Sequence, residues 1–429
     1  MIGGGREDLD RLGQIYSRFL RHPAFPKPSS LRDVVGQYPS RLADVFNNSI
    51  VRHRTNLVAP LLTLPPLSVN VKYIEMEEAE RKMYNALTAI FASNAIQSQR
   101  KDQDYFFHKA NAGPLKSLCS NLATASTFFA SDEIGTRLRE GAGWALERLE
   151  SHKALKWTDE DKEGLRKVIK VMKEAYEDRE WNLVVQDVSV AVEVEGLSDE
   201  IIKAFGGVTA SRNPLKRSLL SLSSLVRLRQ DLKELRHTDV KGWNDAEELE
   251  EELLTFEARR KRFDIEIASR KSKEEEVISV FKKRSKRDVT PLAPLPFDSI
   301  FGKTQLIRTS SGKINYLLDQ FRTFSDEKFI VFSSSNVDLL FANLSEALDL
   351  FGIPHIVFAG SHARAGADRG AKALRFNSTS AKEVQVILVD VEKGGRGVGL
   401  TAASRVIMLE PIWKPDLELQ ATKRAHRLG

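Results

Sequence analysis

Residues 329–360 read FIVFSSSNVDLLFANLSEALDLFGIPHIVFAG. A short β-rich run (FIVFSS, 329–334) is followed by a helical pattern (VDLLFANLSEALDLF, 337–351) and a second β-rich run (HIVFAG, 355–360). A connection of that length cannot be a hairpin, so the two strands are expected to lie parallel with the helix crossing between them. The texture continues outward. VQVILVDV (384–391) and RVIMLEP (405–411) are further β-rich runs, and KINYLLDQF (313–321) and RGAKALRF (369–376) are further amphipathic segments. Strands alternating with helices predict an α/β fold, a parallel sheet with helices on both faces. Such a sheet takes its ligands at the carboxyl ends of its strands.

The chain has 429 residues, enough for roughly two to three domains. Its 65 Lys+Arg against 59 Asp+Glu leave a formal charge of +6, which permits a polyanionic partner without demanding one. Cys119 is the one cysteine, so an internal disulfide, a RING and a cysteine-based zinc finger are excluded, and no metal site is expected. No apolar run reaches the roughly 18 residues of a bilayer-spanning helix, and no membrane partner is expected.

Upstream of residue 300 the organisation is different. Leu9, Leu12, Tyr16, Phe19 and Leu20 share a helical face before Pro23. Val69, Val71 and Tyr73 alternate as in a strand, one expected to complete the sheet of the 300–429 region, and a helix is predicted from Glu75 onward. Val188, Val190, Val192 and Val194 recur at period two within 183–194, which predicts a half-buried strand. Residues 214–283 read as a long antiparallel helical hairpin, with Leu249, Leu253, Phe256, Phe263, Ile267, Val277 and Phe281 on one seam and an Asp245/Glu248 capping box. A solvated two-helix insertion and a partner- or DNA-binding arm both fit it. KKRSKR (282–287) reads as a nuclear-import signal or as the exposed basic end of a helix.

The chemistry is concentrated at the end. EKGGRGVGLTAAS (392–404) follows a buried strand, and Gly394, Gly395, Gly397 and Gly399 let backbone amides approach a phosphate closely; tight packing alone also calls for such glycines. In DLELQATKRAHRLG (416–429), Gln420, Arg424 and Arg427 fall on one helical face, expected to point to the ligand edge of the sheet. Arginine suits the spreading charge of a polyphosphate because its planar fork stays ionised. A surface helix salt-bridged to Asp416 and Glu418 is the plainer reading.

The order of segments resembles the SWI/SNF-type group of helicase-like ATPases in superfamily two, whose motor is a pair of RecA-like lobes. FLRHPAF (19–25) is similar to the segment after the third helicase motif. IVRHRTNLVAPLLTLPP (50–66) is similar to the arginine-rich lobe junction, and MEEAERKMYNAL (76–87) to the helix after it. SSGKINYLLDQF resembles the entry to the second lobe and FIVFSSSNVDLL motif IV. VILVDVEKGGRGVGLTAASRVIMLEPIWKP resembles motif V and its extension, and QATKRAHRLG motif VI. Two departures stand out: Gly397-Val398-Gly399-Leu400-Thr401 where the family has Gly-Leu-Asn-Leu-Thr, and Trp413-Lys414-Pro415 where it commonly has Trp-Asn-Pro.

The resemblance implies a RecA-like second helicase lobe with a large, mostly helical insertion. It divides the chain into a remnant of the first lobe (1–60), the junction and start of the second lobe (61–112), the helical insertion (113–299) and the second lobe (300–429). It implies Arg424 and Arg427 as catalytic arginine fingers, exposed or loosely paired in this chain. Gly395, Gly397, Gly399, Thr401 and Gln420 would couple nucleotide to DNA, and Ser333, Ser334, Ser335 and Arg396 would contact DNA. ATP and Mg2+ are the implied cofactors, duplex DNA or chromatin the partner, the nucleus the location, with a possible protein partner at 214–283.

A motor of this type needs a P-loop and an acidic magnesium motif. The only GKT is Gly302-Lys303-Thr304, with Phe297 where the first P-loop glycine belongs. None of the Asp-Glu pairs at 132, 159, 199 and 326 continues as the family motif. The expectation is therefore a chain cut at both ends that lacks its first lobe and is inactive in ATP hydrolysis alone. A non-catalytic DNA- or protein-binding module is the alternative, and a Rossmann-like transferase holding a sugar nucleotide on the glycine-rich turn is a third reading.

Overall fold

The computed structural model describes residues 66–127, 134–151, 157–178, 189–210, 217–237, 304–334, 337–358, 366–391, 399–412 and 414–426, with a few positions around 181–185 and 250–258. The elements below all belong to the compact unit 67–429. Its first part is a helical module of α1 (Glu78–Gln97), α2 (Ala112–Ala125), α3 (Ile134–Glu150) and α4 (Asp159–Tyr176). The starts of α1 and α4 are written in the sequence. Glu77 and Glu80 form a capping box on α1, and Thr158 accepts the amide of Asp161 while three acidic residues fill the first turn of α4. Met83, Ala86 and Leu87 of α1 pack against Leu138 and Ala142 of α3 and Met172 of α4 in one apolar core.

Next come β1 (Ala191–Glu195), α5 (Asp199–Ala204), β2 (Leu219–Ser221), α6 (Leu222–His237) and β3 (Gln305–Thr309). The strands form a three-stranded antiparallel sheet in the order β2-β1-β3. Val192 and Val194 turn inward and are buried, as their period-two spacing requires.

The remaining elements are α7 (Gly312–Thr323), β4 (Phe329–Ser333), α8 (Val337–Leu350), β5 (His355–Phe358), α9 (Gly366–Ser378), β6 (Val386–Asp390), β7 (Arg405–Met408) and α10 (Pro415–Ala425). The four strands are all parallel, in the order β5-β6-β4-β7. Alternation sends Phe329 and Val331 with Val386 and Leu388 into one core, and Ile330 and Phe332 with Ile387 and Val389 into the other. The first core is shared with the antiparallel sheet, α6 and α8. The second is covered by α9, through Ala373 and Phe376, and by Ala421 of α10. The α/β parallel-sheet fold expected from the alternation is the one found.

Several expectations are corrected. Residues 66–77 form no strand: Val69, Val71 and Tyr73 are 78%, 75% and 96% exposed, and the parallel sheet is not completed by them. Alternating apolar residues fit a pleated surface, but a strand exists only where an edge accepts it. The valine-rich strand begins at Ala191, later than its period suggested. The leucine-striped stretch opens as β2 before α6, because Leu219–Ser221 pair with Ala191–Glu193. The parallel sheet starts at β4, while β3 belongs to the antiparallel sheet. Helix α8 is buried nearly all round, including Asn343 and Asp349, since α6 packs on the side turned away from the sheet. Of the hairpin, α6 and a second helical stretch are described; Glu257 on the latter pairs with Arg227 at 3.0 Å, and Leu253 is buried. The 9–20 helix, the lobe junction, KKRSKR and the rest of the hairpin lie outside the described residues.

Gly312 opens α7 where the backbone of 74–75 crosses it. A Cβ there would sit 2.3 Å from the carbonyl oxygen of Glu75. Gly312→Ala is therefore expected to destabilise the chain by about 1–3 kcal/mol, as overpacking against backbone does. Chemical denaturation checks this; unchanged stability would mean that 74–75 is not anchored on α7.

Candidate functional site

The sheet has two edges, and the motif residues divide between them. At the carboxyl edge β4 ends in Ser333 and β7 runs into Leu409 and Glu410. The Ser333 hydroxyl donates to both Glu410 oxygens (2.9 and 3.2 Å), the Ser334 hydroxyl donates to Oε1 at 3.1 Å, and the Ser334 amide donates to the same oxygen. Ser333 is buried and Ser334 exposed. One carboxylate thus gathers the turn after β4 and ties it to the end of β7. Beside it, Lys313 Nζ donates to the Leu409 carbonyl and to Ser126 Oγ, both at 2.8 Å.

The same edge holds a second carboxylate. Glu80 Oε2 accepts the Glu77 amide at 3.0 Å and the Gly312 amide at 3.1 Å, so one side chain caps both α1 and α7. Ser311 caps α7 as well, donates to the Thr127 carbonyl, and reaches Glu80 Oε1 at 3.4 Å. Burial pushes the Glu80 carboxyl up to about 7, against the pull of its amide donors and of Lys313. Burial also holds the Lys313 ammonium below the usual lysine range, against the pull of Glu410 and Glu80.

At the amino edge the chain re-enters the sheet. The Lys328 carbonyl, just before β4, accepts the amides of Ser404 (3.1 Å) and Arg405 (3.2 Å). The Asn377 side chain at the end of α9 clamps the preceding turn, donating to the Gly399 carbonyl at 3.0 Å and accepting the Ala402 amide at 3.3 Å. Leu400 donates its amide to the Arg424 carbonyl at 3.0 Å. The end of the glycine-rich segment and the end of α10 are thereby joined. Proline at its first turn, Asp416 and Glu418 early and Lys423 and Arg424 late suit α10 to its dipole.

The expectation that α10 points its arginines at the carboxyl edge is corrected. The helix follows β7 and runs back antiparallel to it, so its last turn lies at the amino edge. Arg424 is half-buried there, not exposed. Gly399, Thr401 and Gln420 are half-buried too. Gly395, Gly397, Arg396, Ser335 and Arg427 lie outside the described residues. Sequence reasoning missed Glu410, Lys313, Glu80 and Asn377. Glu410 and Lys313 carried a signal, each a lone charge at the border of an apolar element. Asn377 carried none, because its partners are set by the crossover.

Among the described residues no helix is long and apolar enough to cross a membrane, and no group of three His, Cys, Asp or Glu could hold a metal ion.

The family described as helicase conserved C-terminal domain matches residues 312–429, from the first residue of α7 to the end of the chain. The DNA repair protein RAD5B of Arabidopsis thaliana is 36% identical over 148 residues, which are 33% of this chain and 11% of that protein. The uncharacterized ATP-dependent helicase C23E6.02 of Schizosaccharomyces pombe is 34% identical over 98 residues, 21% of this chain and 9% of that protein. The chromatin structure-remodeling complex protein SYD of Arabidopsis thaliana is 34% identical over 105 residues, 24% of this chain and 3% of that protein. The match therefore spans about a tenth or less of the length of these relatives.

Proposed function

We propose that residues 312–429, which match the helicase conserved C-terminal domain and are similar in part to a DNA repair protein and a chromatin-remodeling protein, act as the second lobe of a SWI/SNF-type ATP-dependent translocase on duplex DNA or chromatin in the nucleus. The observation that carries this reading is the bond from Leu400 to Arg424, which joins the end of the glycine-rich segment to the end of the arginine-bearing helix at the amino edge. A parallel sheet takes its own ligand at the carboxyl edge. An arginine at the opposite edge suits a phosphate held by another sheet, stacked head to tail against this one.

In that arrangement Arg424 and Arg427 meet charge that develops on the transferring phosphoryl group, an electrostatic contribution that needs no further protein chemistry. Gly395, Gly397, Gly399, Thr401 and Gln420 are assigned the coupling of nucleotide to DNA in this reading, and Ser334, Ser335 and Arg396 the contacts to DNA. Ser333 supports the same turn through Glu410. ATP with Mg2+ supplies the hydrolysable phosphoanhydride. The residues present fit the arginine side of such a site and provide neither a P-loop nor, among the described residues, a magnesium ligand set. Hydrolysis by these 429 residues alone is not expected, and the lobe holding the phosphates is a partner in the proposal.

Titration of labelled duplexes tests it. Weak binding without sequence preference, falling steeply between low and moderate salt, is expected because the contacts are to phosphates. Binding indifferent to salt, or strongly selective for one sequence, would overturn the translocase reading in favour of a binding module built on α6 and the 214–283 hairpin.

A further inference from the structure

Among the described residues, the helical module and the parallel-sheet lobe share a polar seam in which Lys313 is held from both sides. Ser126, at the carboxyl end of α2, holds the Lys313 ammonium at 2.8 Å, and the same ammonium holds the Leu409 carbonyl at 2.8 Å. Leu409 is followed by Glu410, which gathers Ser333 and Ser334. Four residues of chain then lead into α10, along which Arg424 lies about 14 Å from Pro415 by helical rise. On the module side, Glu80 and the Thr127 carbonyl fix Ser311 and Gly312 and so fix the direction from which Lys313 leaves α7.

We propose that Lys313 is a positioning residue through which the helical module sets the root of α10 and the Ser333–Ser334 turn. Its effect on DNA or hydrolysis rests on the function proposed above; the mechanical coupling does not. An apolar side chain would pack in the same space and leave the Leu409 carbonyl and Ser126 hydroxyl without their donor. The module and the carboxyl edge would then settle independently.

A cycle of variants in the 429-residue chain tests this, using Ser126→Ala, Glu410→Gln and the pair. Ser126 and Glu410 share Lys313 as their common neighbour, so their effects should be non-additive, whereas independent sites add. The readout is amide hydrogen exchange at 330–334 and 408–425. Ser126→Ala should speed exchange at 408–418 by severalfold although that segment is on the other side of the seam, and Lys313→Met should speed it tenfold or more. Lys313→Arg, which keeps a charged donor, should restore part of the protection. Acceleration confined to α2 and α7, or strictly additive effects of the pair, would overturn the proposal. If Lys313→Met does not fold, the Ser126 and Glu410 cycle decides alone. Duplex titration of the same variants separates the two ideas: coupled exchange with unchanged DNA affinity leaves the positioning role standing and removes the DNA-facing assignment of this edge.

Discussion

Alanine at Arg424 is expected to lower DNA-stimulated ATP hydrolysis about a thousandfold or more once these residues are joined behind a lobe that carries a P-loop, in line with what arginine fingers contribute. DNA binding should change little, because the charge the guanidinium meets develops in the transition state and not in the DNA complex. Arg424→Lys should be nearly as defective, since a point charge cannot reproduce a two-pronged fork. The backbone bond from Leu400 to the Arg424 carbonyl survives both substitutions, so the turn itself stays in place. Because the side chain is half-buried, alanine also removes packing and should cost about 1 kcal/mol of stability, more than an exposed position does. Rates measured well below the melting transition keep the two effects apart. A parental rate in the Arg424→Ala protein would end the arginine-finger reading of α10.

The alternation of β-rich and amphipathic runs from 313 to 411 was sufficient to foresee the parallel sheet, because a buried parallel strand must be apolar on both faces and Phe329–Phe332 and Val386–Val389 are. What the pattern could not show was which edge each motif reaches. Period and spacing place Gln420 and Arg424 on a common helical face, but the edge follows from the direction in which α10 runs back along β7. Strand pairing was equally hidden. Val69, Val71 and Tyr73 carry as good an alternation as Val190, Val192 and Val194, yet only the second set found neighbours in β2 and β3. Buried charge was the least legible feature. Glu80 reads as an ordinary capping-box acid, and nothing nearby in sequence announces that the amide it also caps belongs to Gly312.

That double cap leads to the second large effect, in the pH dependence of stability. Glu80 sits buried with two amide donors on one oxygen, the Ser311 hydroxyl near the other, and Lys313 as the facing cation, with Glu410 beyond it and the Glu77–Arg308 ion pair beside it. Its carboxyl titrates at about 7 in the folded chain, against 4.5 as the ordinary value. The native state therefore binds a proton that the unfolded chain has released between those values. Stability from this group is full below about pH 4.5 and is lost as pH rises through 7. The loss is on the order of 3 kcal/mol. Glu80→Gln removes the titration and keeps the geometry: its carbonyl oxygen can accept both amides, and its amide group can donate to Ser311. The cluster then holds Lys313 with one carboxylate, Glu410, in place of two. Glu80→Gln should match the parent near pH 5 and exceed it by about 2 kcal/mol at pH 8, with a flatter profile between. Urea unfolding followed by tryptophan fluorescence reads this, since among the five tryptophans Trp181 is buried and donates to the Ala79 carbonyl beside the site. Parallel pH profiles for parent and variant, or a variant weaker at every pH, would show that the charged carboxylate is a net stabiliser of the seam and that its burial is fully compensated by Lys313.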